Sequence, residues 1–172
     1  MKSSYLTVAF ILAVFLLHSQ TKLKTTLTAD HKLIKYSKVF IIPPSGFREN
    51  SNSIGYANNE TGANVGAIQE NKSIKSIINH LSEKYLLGKK YKIIEIKKYK
   101  INNMSAVWYE LESEFYDRVT IKYILVIGNK KEHALIEAYC PKEYPLACIA
   151  LKRSIFTTYY DTDSTYIKET SP

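Results

Sequence analysis

Three glutamates at alternate positions, Glu110, Glu112 and Glu114, place three carboxylates on one side of an extended chain. So spaced, they could bind a cation, or raise one another's pKa as an acid/base pair does. They form the candidate binding face of this sequence, and the place where a hydrolase of unrecognised type would work. A plainer reading weighs more: a solvated face opposite Lys122 and other lysines across neighbouring strands. Asp161 and Asp163 could also ligate a cation, but their surroundings lack the EF-hand ligand pattern. His80 and His133 stand alone and read as surface residues. Zinc needs about four clustered nitrogen or sulfur ligands, and the four histidines are scattered. The sequence contains no G-x-S-x-G, Walker loop, G-x-G-x-x-G or H-E-x-x-H. No catalytic residue, metal or cofactor is therefore assigned.

Cys140 and Cys148 are the two cysteines. Their spacing is not the C-x-x-C of a redox motif. Two readings remain: a disulfide tying the last long strand to the last helix, or two buried thiols. The compartment decides between them, and the disulfide is the expectation if the protein is exported. The loop it closes is short, so the chain-entropy model gives about 2–3 kcal/mol.

Alternation defines the elements that carry these residues. In residues 106–116, Val107, Tyr109, Leu111 and Phe115 fall on one side and the glutamates on the other, the period of a half-buried strand. Residues 119–127 alternate too, and become apolar on both sides, as a doubly covered strand does. Residues 91–101 and 134–140 complete a four-stranded antiparallel meander, with turns at Asn102–Asn103, at 117–118 and at 128–131. After Pro145 the period turns helical, with Cys148, Leu151, Ile155 and Tyr159 on one stripe. Upstream, Ser73 is suited to cap a helix over residues 74–87, with Ile74, Ile77, Ile78, Leu81 and Tyr85 as its apolar stripe and Gly88 as its left-handed stop. Residues 54–58 and 64–70 read as a hairpin around residues 59–62, and 39–42 as a short strand stopped by Pro43 and Pro44.

With 172 residues and 45% hydrophobic composition, the chain suits one domain with a real core. Its net charge is +8, and residues 72–104 hold nine lysines against two glutamates. Such charge could meet nucleic acid, anionic lipid or an acidic partner. The stretch has almost no arginine and no interleaved aromatic RNA signature, which argues against nucleic acid. Membrane-surface contact and an unidentified protein partner stay open. Asn59, Asn71 and Asn103 stand in N-x-S/T sequons, which matter only in a host that glycosylates. At the N-terminus, Lys2 precedes a largely apolar run of about thirteen residues, 5–17, too short to span a bilayer comfortably. This is the build of an export signal ending near Ser19. A buried N-terminal helix and an uncleaved anchor are its alternatives. Residues 21–30 are polar, with no amphipathic period.

The order is strand, Pro-Pro-Gly loop, hairpin, helix, four-stranded meander, helix. With Ile41-Ile42-Pro43-Pro44-Ser45-Gly46-Phe47 it resembles the PsbP-like family, whose members include PsbP and exported proteins of the DcrB type. The resemblance covers residues 36–160. It implies an α+β fold in which helices cover an antiparallel sheet, an α/β/α sandwich. It also implies a non-enzymatic accessory or binding role, often at membranes. The expected organisation is a signal peptide at 1–19, a flexible tether at 20–35, one domain at 36–160 and a tail at 161–172. The expected location is periplasmic or extracellular.

Overall fold

The computed structural model describes residues 21–50, 54–115 and 118–163. The expected signal peptide and residues 164–172 of the expected tail lie outside them. In chain order the elements are β1 (Thr21–Leu23), β2 (Lys32–Leu33), β3 (Val39–Ile41), β4 (Arg48–Glu49), β5 (Tyr56–Ala57) and β6 (Asn64–Glu70). There follow α1 (Ile74–His80), α2 (Glu83–Gly88), β7 (Lys92–Ile101), β8 (Met104–Phe115), β9 (Arg118–Gly128), β10 (His133–Pro141), α3 (Pro145–Ile155) and β11 (Tyr159–Tyr160).

Eight strands form one sheet in the order β1-β7-β8-β9-β10-β6-β5-β4, and β11-β3-β2 form a second. The meander β7–β10 is present as expected, joined by antiparallel pairings. The sheet is larger than expected, however, and it is mixed, because β1 runs parallel to β7. Nor do helices cover all of it. Eight strands at about 4.8 Å spacing span roughly 34 Å, whereas α3, the longest helix described, has 11 residues and is about 16 Å long. Residues 21–23, placed by sequence in a flexible tether, are strand β1, and residues 32–33 are strand β2. Backbone pairing with β7 satisfies β1 although its composition carries no strand period.

The core has two layers, one on each side of the large sheet. On one side Ala106, Trp108, Tyr123, Leu125, Ile127, Ala134, Ile136 and Ala138 pack against Cys148, Leu151 and Ile155 of α3, against Val39, Ile41 and Tyr160 of the small sheet, and against Ile34 just after β2. On the other, Val107, Tyr109, Leu111, Ile124 and Val126 pack against Ile74, Ile77, Ile78, Leu81, Tyr85 and Leu86 of the two shorter helices and the turn between them. The C-terminal helix thus covers the side of β8 that carries the glutamates, and the earlier helices cover the purely apolar side. Antiparallel pairing keeps each layer on one face, since residues directly opposite share a face, and packing decides which helix covers it.

Local chemistry explains most element ends. Ser73 Oγ accepts from the Lys75 amide and caps α1, as its position suggested. The expected single helix is broken at Leu81, and Ser82 adopts extended angles before α2. The left-handed residue after α2 is Lys90, with φ 61°, rather than Gly88. Asn102 and Asn103, with φ 47° and 68°, form the two-residue turn between Ile101 and Met104, the conformation that asparagine tolerates best among side-chain-bearing residues. In the Pro-Pro-Gly loop, Gly46 has φ 80° and the Phe47 amide donates to the Pro44 carbonyl at 3.1 Å, closing a turn that needs a left-handed residue there. Tyr159, expected on the helical stripe, instead pairs with Phe40 in the small sheet.

Candidate functional site

Strand β8 puts Glu110, Glu112 and Glu114 on the face that α3 covers, below Trp108. Glu110 accepts a hydrogen bond from Lys152 of α3. Glu112 is gripped by Lys142 at 2.6 Å and Lys92 at 3.3 Å. Their side chains are only 16% and 17% exposed, so they are not the solvated row the sequence suggested, while Glu114 is exposed. Lys122, expected opposite them, lies on the other side of the sheet, because its register partners are Leu111 and Tyr139. The hydrogen-bonded Lys142 ammonium, with Lys92 behind it, holds the Glu112 carboxyl below its ordinary pKa. A general acid at neutral pH needs the opposite shift. The arrangement is a set of ion pairs pinning the end of α3 and neighbouring chain to β8.

Lys122 heads a second cluster. Its ammonium is 2.8 Å from a Glu137 carboxylate oxygen and lies over the rings of Tyr139 at 4.8 Å and Tyr91 at 5.7 Å. Burial disfavours its charge, but the hydrogen bonds it donates to Glu137 and Tyr139 outweigh that and raise its pKa. A lysine held protonated in this way is no nucleophile or base. His133, read as a surface residue, is buried, with Nδ1 2.7 Å from the Lys72 carbonyl oxygen. His80 is exposed and lies against Tyr85, ring centroids 4.5 Å apart. The Asp163 amide donates to Asp161 Oδ1 within a local turn. Among the described residues no group of three or more His, Cys, Asp or Glu is placed to hold a metal ion. Cys140 and Cys148 are disulfide-bonded, their Cα atoms 5.4 Å apart.

Among the described residues, three surface cavities stand out. One of about 410 Å³ lies beside α3, lined by Ile149, Lys152, Arg153, Phe156 and Thr157. One of about 450 Å³ borders the β4–β5 hairpin, with Arg48, Glu49, Asn58 and Glu60 in its walls. The third, about 580 Å³, sits where β1 meets β7 and is lined by Lys22, Leu23, Lys24, Thr25, Lys100, Asn102 and Asn103. None of the three contains Glu110, Glu112 or Glu114. Nothing in the sequence marks Lys22, Lys24 and Lys100 as neighbours, since only the pairing of Lys22 with Lys100 across the sheet unites them.

No protein-family model matches the sequence, and a search by sequence finds no relative among the curated proteins. Solved structures do resemble it. Cyanobacterial PsbP from Synechocystis sp. PCC 6803 matches with a TM-score of 0.54 and 6% identity over 76% of this chain and 91% of that one. A Bacteroides thetaiotaomicron protein matches with a TM-score of 0.47 and 9% identity over 80% of this chain and 50% of its own, so this chain spans half its length. LpqN of Mycobacterium tuberculosis, described as involved in cell envelope biogenesis, matches with a TM-score of 0.48 and 12% identity over 68% and 79%. At such identities the likeness to cyanobacterial PsbP shows the fold, and the fold is PsbP-like.

Proposed function

We propose that this is an exported, non-enzymatic binding or accessory protein of PsbP-like fold, working at a membrane surface or within an envelope complex. The observation that carries the reading is the outer side of α3 and its approach. Tyr144, Leu146 and Ile149 are exposed there within six residues, Leu146 at 81%. Arg153 follows them in sequence, and Lys142 and Lys152, paired with Glu112 and Glu110, flank them. Apolar side chains grouped in water with cations beside them suit a surface that docks. The hydrolase alternative would use the Glu110–Glu114 face or His133. Lysines engage Glu110 and Glu112, Glu114 stands exposed, and His133 is buried against the Lys72 carbonyl. No helix among the described residues is long and apolar enough to cross a membrane. The test is fractionation of the native host with N-terminal sequencing of the mature chain. The expected result is removal of about the first nineteen residues and recovery from the envelope or medium. The double variant L146D/I149D should then release the protein from its envelope partner. An intact Met1 in a soluble cytosolic fraction overturns the reading.

A further inference from the structure

The cavity at the β1–β7 junction has a lining of one sign. Lys22 and Lys100 are register partners on adjacent parallel strands, so their side chains leave the sheet on the same side. Lys24 lines the same cavity, and no acidic residue does. Like charges directly opposite on paired strands are destabilising. Among the described residues, none of these three lysines has an ion pair to relieve that repulsion. By contrast, Lys38, Lys92, Lys122, Lys142 and Lys152 each have a carboxylate.

The wall that carries the lysines is held firmly. The Asn102 amide donates to the Leu23 carbonyl at 3.1 Å. Asn102 Nδ2 donates to the Thr25 carbonyl at 2.8 Å and reaches its hydroxyl at 3.0 Å, while the Thr25 amide donates to Asn102 Oδ1 at 2.9 Å. Thr25 Oγ1 in turn donates to the Thr158 carbonyl at 2.8 Å. The chain is thereby tied down at Leu23 and Thr25, on either side of Lys24, and strand pairing holds Lys22 opposite Lys100.

We propose that this cavity binds a phosphate-class oxyanion, through Lys22, Lys24 and Lys100. An anion bridging the three ammonium groups would remove their mutual repulsion and gain three charge-assisted hydrogen bonds. About 580 Å³ is ample for a phosphate and for part of the group attached to it. The inference names a ligand class for the binding protein proposed above, and it does not depend on where that protein acts.

The test uses the protein as isolated from its host. Inorganic phosphate is titrated and followed by amide chemical shifts, and sedimentation with phosphatidylcholine vesicles is measured with and without phosphatidylglycerol. Saturable shifts at Lys22, Lys100, Asn102 and Asn103 are expected. The variant K22Q/K24Q/K100Q should weaken binding about a hundredfold, since each lysine near an anionic surface contributes roughly fivefold. K22R/K24R/K100R should retain binding, and K75Q/K84Q/K89Q, with equal charge lost elsewhere, should bind as wild type. Phosphate binding together with phosphatidylglycerol-dependent sedimentation supports the site with a lipid headgroup as its source. Phosphate binding without sedimentation supports it with a soluble phosphate. Equal losses in K22Q/K24Q/K100Q and K75Q/K84Q/K89Q, or no saturable shifts at all, overturn it. These outcomes are read in vitro and stand whatever fractionation of the host shows.

Discussion

Raising the pH should unfold this protein through three tyrosines. Burial pushes the hydroxyls of Tyr109, Tyr123 and Tyr160 up to about 12, from an ordinary value of 10.0. For Tyr123 the Glu110 carboxylate adds to burial, and for Tyr160 the hydrogen bond from Gln69 partly opposes it. All three are at most 5% exposed, one in each core layer and one in the small sheet. Each folded-state pKa lies above its unfolded value. The neutral hydroxyl therefore adds stability that is complete below pH 10 and is lost as pH rises towards 12. A two-unit shift corresponds to about 2.7 kcal/mol. Screening and relaxation around partly hydrated hydroxyls cut this to roughly 1–2 kcal/mol each. Together the three give about 3–6 kcal/mol, comparable with the whole stability of an ordinary domain. Lys122 adds in the same direction, since its raised pKa also loses its contribution only in alkali. The assay pairs tyrosinate absorbance at 295 nm with far-ultraviolet circular dichroism across a pH titration. A late fraction of tyrosines should ionise together with loss of secondary structure between about pH 11 and 12. Y109F/Y123F/Y160F should remove that late fraction. Ionisation of all tyrosines near pH 10 with the dichroism unchanged would refute the reasoning.

Leu151 is fully buried between α3 and the sheet, so Leu151→Ala should cost about 3–4 kcal/mol, whereas Ile149→Ala on the exposed side should cost under about 0.5. Urea midpoints for the two variants check this, and equal midpoints would refute the layer assignment. The disulfide closes a loop with a sequence separation of 8, so Cys140→Ala with Cys148→Ala should lower stability by about 2.5 kcal/mol. Alkylation of the native protein without reductant should leave both cysteines unlabelled. A Cβ on Gly128 would lie 2.4 Å from the Glu132 carbonyl oxygen and 2.6 Å from His133. Gly128→Ala should therefore lower the thermal midpoint through a cost of about 2 kcal/mol, and an unchanged midpoint would show that the turn can shift.

Gly128 shows how far local chemistry could be read. The sequence placed a turn at residues 128–131, and a turn is there, with Asn129 Oδ1 accepting from Lys131 and Glu132. The reason glycine is needed is a close approach of the backbone at His133, which no sequence pattern encodes. The strands of the meander, the Ser73 cap, the Asn102–Asn103 turn and the stripe Cys148, Leu151 and Ile155 were all legible, because each depends on residues a few positions apart. The face of each helix was legible too. Which side of the sheet it would meet was not, since Trp108 and Glu110 share a side and only packing decided that α3 would cover Trp108 and bring Lys152 to Glu110.

By itself the sequence determined the α+β class, the antiparallel meander, the closing helix and the excess of lysine, all properties of local period, turn chemistry or composition. The tertiary structure alone decided the partners of the charges. Glu112 met Lys92 and Lys142, Lys122 met Glu137, and Lys22 met Lys100 with no carboxylate between them. Strand register sets such meetings between residues up to 78 positions apart, and register is fixed by burying two apolar layers at once rather than by the charges themselves.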